Sequence, residues 1–139
     1  MDITHPETEN AAIVEEYLVR VQIPPDDVPR VLAEITTVAP LRYGKYEQVA
    51  FRSNTGTLQF KLLHGSKPGE ADLIQVPCVE VAFTAPKDDQ VIASIIEAIF
   101  ESHPYEEPVI LIQAVMSTRF KYGSTKDNPN KWWHRPEQY

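Results

Sequence analysis

Residues 73–108 read LIQVPCVEVAFTAPKDDQVIASIIEAIFESHPYEEP. An apolar strand pattern over 73–85 meets Pro86-Lys87-Asp88-Asp89, which breaks the strand and offers an N-cap. Val91, Ile92, Ile95, Ile96, Ile99 and Phe100 then recur at helical spacing and form a broad apolar face. Pro104 disfavours the helical region for the residue before it, so His103 is the last residue the helix reaches. The next apolar strand pattern spans 109–115. Pro77 cannot donate to a ladder, which predicts an interruption of the long strand, at an edge or a bulge.

The first half of the chain repeats this plan. Residues 16–23 alternate, with Tyr17, Val19, Val21 and Ile23 on one face. Pro24-Pro25-Asp26-Asp27 supplies a break and cap. Val28, Val31, Leu32, Ile35 and Val38 follow with helical spacing up to Pro40. Residues 46–52 and 57–63 read as two strands of a hairpin, with Asn54-Thr55-Gly56 as its turn. Two strand-helix-strand units predict an α+β, ferredoxin-like split βαβ sandwich: an antiparallel sheet with two helices on one face and an extra central hairpin. Val49, Phe51, Leu58, Phe60, Val79, Val81 and Phe83 are expected on the uncovered face. Such an apolar face predicts a homo-oligomer.

Length and composition bound the function. With 139 residues, one domain over 16–115 is expected, with an acidic leader over 1–15 and a basic, Trp-containing tail over 116–139. The net charge is −7, and the body is acidic, which argues against binding a phosphate backbone. No apolar run reaches the roughly 18–20 residues of a membrane span. Residues 1–10 lack the basic start and apolar centre of a secretion signal. Cys78 is the single cysteine, so no internal disulfide forms. A cytoplasmic protein is expected.

The chemistry-bearing segment is Ser102-His103-Pro104-Tyr105-Glu106-Glu107-Pro108, a histidine and two carboxylates between two prolines. In one reading His103 ends the helix, where an imidazole suits the negative end of the dipole, and Tyr105 packs beside it. In the other, His103 with Glu106 or Glu107 binds a divalent ion of the zinc, copper or nickel class, which imidazole and carboxylate suit. Alternation sends the two glutamates to opposite sides, so a further contributor such as His64 or a neighbouring subunit is needed. The loop His64-Gly65-Ser66-Lys67-Pro68-Gly69 matches no phosphate-binding fingerprint. It is either a plain connection or, through Lys67 and its backbone N–H groups, a holder of an anionic ligand. Cys78, flanked by Pro77 and Val79, reads as a buried small hydrophobe. Trp132-Trp133-His134-Arg135 is expected to fold back onto the domain or to engage a partner protein.

Tyr43-Gly44-Lys45-Tyr46-Glu47-Gln48-Val49-Ala50-Phe51, Thr55-Gly56-Thr57, Gly65-Ser66-Lys67-Pro68-Gly69 and His103-Pro104-Tyr105-Glu106-Glu107 carry a resemblance. Over roughly 16–115 the chain resembles the YqfO-type domain inserted in the dinuclear metal centre hexameric proteins, the family of the NGG-one-interacting factor. The resemblance implies a stand-alone PII/CutA-like module, commonly a trimer, binding small ligands in clefts between subunits. It also implies a link to divalent metals. The dinuclear centre of the long relatives sits in flanking domains that the short flanks here do not rebuild, and Gln48 and Ala50 stand where the family often has His and Cys. A binding role near His103 is therefore expected, with Tyr105, His64 and Lys67 as ligand contacts. The competing classes are an enzyme using His103 or Glu106 as acid or base and an interaction module working through the tail.

Overall fold

The computed structural model describes residues 5–63, 73–123 and 128–138. Strand β1 is Ala11–Ile23, helix α1 Val28–Val38, β2 Phe51–Arg52, β3 Gly56–Phe60, β4 Ile74–Pro86, α2 Asp89–Ser102 and β5 Ile110–Phe120. The sheet order is β2-β4-β1-β5, with β3 also paired to β4, and every pair is antiparallel. This is the split βαβ arrangement that the repeated strand-helix-strand plan predicts.

Both helices start where the prolines and aspartates place them. Pro25–Asp27 forms one 3-10 turn before α1. Asp88 caps α2 by accepting from the N–H of Gln90 and Val91, at 2.8 and 3.3 Å. Beneath the helices, Val19 stands opposite Phe83, Val21 opposite Val81 and Ile23 opposite Val79. These six residues and Val28, Val31, Ile35, Ile95 and Ile99 form the buried core. Alternation along each strand puts the intervening residues on the opposite face. β1 begins at Ala11 and β5 runs to Phe120, so the two strands continue as a ribbon beyond the expected limits at 16 and 115.

Three expectations are corrected. Val79, Val81 and Phe83 do not face outward: they are at most 3% exposed and lie under the helices. Their register with the core residues of β1 decides this, and Cys78, Glu80, Ala82 and Thr84 take the open face instead. The strand over 74–86 is continuous through Pro77. Pro77 pairs with Thr57, beyond the end of β1, where β4 has a neighbour on one side. Finally, β2 and β3 are not partners in a hairpin. Both lie against β4, Arg52 opposite Val81 and Gly56 opposite Cys78. Residues 53–55 therefore stand three against two opposite 79 and 80, the one-residue surplus of a β-bulge. Ser53 keeps the ladder intact across it. Its N–H donates to Glu80 O at 3.0 Å, and its hydroxyl accepts the Glu80 N–H at 2.8 Å.

Candidate functional site

The His103 corner closes the end of α2. The His103 N–H donates to Ile99 O at 2.8 Å, and Arg30 Nε of α1 donates to Ser102 O at 3.0 Å. The buried imidazole has both nitrogens engaged with backbone. Nδ1 accepts the Tyr105 N–H at 3.0 Å, and Nε2 lies 2.7 Å from Gln22 O. A ring that accepts at Nδ1 carries its proton on Nε2, so Nε2 donates to Gln22 O and the imidazole is the neutral tautomer. A metal at either nitrogen displaces one of these bonds. Glu106 and Glu107 are exposed, and among the described residues no group of three or more His, Cys, Asp or Glu stands close enough to hold an ion. Tyr105 is half-buried beside the imidazole, ring centres 5.0 Å apart. Burial first, then Cys78 and Asp27, push its hydroxyl above the ordinary tyrosine range. His64 and Lys67 lie outside the described residues.

His103 leads to a residue that sequence reasoning passed over. Gln22 is held by its backbone on two sides, through Nε2 of His103 and through its own N–H to Val109 O at 3.1 Å. Its side chain projects onto the open face, where it lines a cleft of about 200 Å³ with Ser53, Asn54, Gly56, Cys78 and Glu80 among its other walls. The cleft borders the bulge, whose Ser53 and Asn54 line it together with Cys78 and Glu80 of β4. Gln22 Oε1 is buried and has no hydrogen-bond partner among the described residues. Burial raises the Cys78 thiol above its ordinary range, with Glu80 adding to it and a bond to the Ile23 backbone opposing. The thiol is therefore protonated at neutral pH and is a poor nucleophile. The signal that could have found Gln22 is the Val21-Gln22-Ile23 alternation, which puts one amide opposite the core at the last turn of the strand's pleat.

A second polar cluster lies farther along the same face. Glu16, buried within the β1–β5 ribbon, accepts from Arg119 Nη2 at 2.8 and 3.0 Å and from the Ser117 hydroxyl. The Arg119 guanidinium stacks on Tyr43 at 3.7 Å from the ring centre, and Lys45 Nζ sits 4.1 Å from the Tyr122 ring. These contacts fasten the segment after α1 across the ribbon. In the tail, Trp132 and Trp133 pack edge to face at 5.9 Å, and Lys131 Nζ lies 5.0 Å from the Phe120 ring. Both tryptophans are half exposed.

No family model matches the chain, and no curated protein matches it in sequence. Solved structures do match. A Bacillus cereus protein related to NIF3 aligns at a TM-score of 0.63 and 23% identity, over 75% of this chain and 26% of its own. CutA1, a divalent ion tolerance protein of Ehrlichia chaffeensis, aligns at 0.54 and 13%, over 81% of this chain and 84% of its own. CutA1 of Oryza sativa aligns at 0.55 and 11%, over 78% and 84%. This chain thus spans about a quarter of the NIF3-related protein and most of each CutA1. The likeness, the sheet order and the two helices on one face together establish a CutA-like, ferredoxin-like fold, shared with part of the NIF3-related protein.

Proposed function

We propose that the chain is a ligand-binding module of the CutA-like fold, with its seat in the bulge cleft and His103 as the positioning residue behind it. One observation carries the reading: Gln22 lines that cleft, and its Oε1 is buried without a partner among the described residues. An unpaired buried acceptor costs roughly 1–3 kcal/mol, and such groups in native proteins call for an explanation. A ligand that supplies the missing donor is that explanation. The location supports it, because bulges concentrate next to functional sites. His103 fixes Gln22 by its backbone carbonyl, so the corner and the cleft form one unit. A homo-oligomer, a trimer as the resemblance implies, belongs to the proposal. Phe51 and Leu111, 70% and 53% exposed on the open face, support it.

Native mass spectrometry on protein purified from cells, without chelator, tests this. The expected spectrum is an oligomer carrying added mass, lost in Gln22→Leu while the oligomer persists. A Gln22→Leu spectrum that retains the added mass sinks the cleft as the seat.

The names of the CutA1 neighbours favour a second reading, a divalent cation at His103 with Glu106 or Glu107. Such an ion would displace one of the two backbone bonds of the imidazole and would need further ligands, from His64 or a neighbouring subunit. Adding zinc, copper or nickel to wild type and His103→Gln separates the two readings. Metal uptake lost in His103→Gln and kept in Gln22→Leu would favour the cation.

A further inference from the structure

We infer that the ligand of the bulge cleft presents a protonated nitrogen, an ammonium or amidinium group, and not a phosphate or carboxylate; this rests on the cleft reading above. Hydrogen-bonding capacity around the cleft leads there. The Ser53 hydroxyl accepts from the Glu80 N–H at 2.8 Å and donates to Asn54 O at 2.9 Å, so its proton is committed. The Cys78 thiol points to Val79 O at 3.7 Å. Thr57 and the amides of Asn54 and Gln22 can both donate and accept, so they do not select a ligand class. The buried group left unpaired is Gln22 Oε1, an acceptor, and the charge in the wall is the Glu80 carboxylate. A ligand that satisfies Oε1 must donate.

Charge points the same way. Glu80 is the one charged residue among the described residues lining the cleft. It pairs with Arg20, whose Nε lies 3.9 Å from Glu80 Oε1 with both side chains nearly half exposed. A pair that long and that solvated contributes little. A phosphate entering here would meet a carboxylate with no lysine, arginine or histidine in the described wall to answer it. Repulsion of this kind is how sites reject the wrong partner. A ligand cation meets Glu80 with its charge and Gln22 Oε1 with an N–H, a charge-assisted pair stronger than a neutral one. The volume of about 200 Å³ is below the roughly 300–1,000 Å³ of sites for drug-sized ligands. It suits one amine or guanidine terminus of a small metabolite.

The test uses the full chain and ¹H–¹⁵N spectra titrated with two cations, 1,4-diaminobutane and agmatine, and two anions, butyrate and inorganic phosphate. The cations are expected to shift the Gln22 side-chain amide and the Ser53 and Glu80 backbone amides saturably. Glu80→Gln, which keeps the shape and removes the charge, is expected to weaken them at least tenfold, and added salt to weaken them further. If the anions move the same signals and Glu80→Gln tightens them, the cleft stands and the cationic class is overturned. If neither pair moves them, the cleft itself is not a seat and both readings fall.

Discussion

On the side of the sheet covered by helices, Val19, Val21 and Ile23 meet Phe83, Val81 and Val79 with not one polar side chain among them. On the other side, one residue along the same strands, Glu16, Arg20 and Gln22 share a face with Cys78, Glu80 and Thr84. The difference teaches how so small a domain separates stability from function. A period of two hands the odd positions of β1 and β4 to the core and their even positions to the open face, with the parity reversed in β5. The core can then be packed for density alone, while the open face keeps a buried ion pair, an unpaired amide and a bulge.

The largest effect expected from breaking this contrast is in the core. Ile99→Ala removes a fully buried side chain and should cost about 3 kcal/mol in urea unfolding. A value below about 1 kcal/mol would mean that the helix-covered face is not the stabilising one.

Next comes the polar face's own buried pair. Glu16→Ala leaves the Arg119 guanidinium, 19% exposed, without its carboxylate and should cost about 2 kcal/mol. The double change Glu16→Met, Arg119→Leu should recover most of that. Failure to recover would show that the pair contributes more than relief from an unpaired charge.

Ser53→Ala strips the Glu80 N–H of its partner across the bulge. A loss of about 1 kcal/mol is expected, with the Glu80 amide exchanging faster with deuterium and the core amides of β1 unchanged. Equal acceleration in both would deny the two faces their independence.

The smallest effect is alkaline. Burial raises the Cys78 thiol, so the folded chain holds its proton to higher pH than the unfolded chain does. The stability linked to that proton is full below the unfolded thiol's range and falls as pH rises through the folded one. Tyr105, raised in the same sense, extends the loss to still higher pH. Cys78→Ala should flatten the first part of the decline, and an unchanged slope would remove Cys78 from the account.

Much of this molecule is legible in its residues, and what is not has a physical reason. The prolines and aspartates at 24–27 and 86–89 mark both helix starts, since they act locally. Pro104 ends α2 at His103 for the same reason. The face taken by Val79, Val81 and Phe83 is not local. The alternation is plain, but parity relative to the helices depends on register with β1. Asn54-Thr55-Gly56 has the chemistry of a turn, and only the thirteen-residue length of β4, which two short segments can share, distinguishes a bulge. Gln22 looked like any outward polar residue of a strand. Its importance comes from the bulge that encloses it and from a histidine 81 positions away.

The most direct test of the central claim is the unfolding free energy of Gln22→Leu beside wild type, both without added ligand. If the amide is held unpaired for a ligand, leucine removes a buried acceptor that has no partner. The variant should then be as stable as wild type or about 1 kcal/mol more stable, while losing the added mass. A variant destabilised by 1 kcal/mol or more would contradict the account, because the Gln22 side chain would then serve the fold and not a ligand.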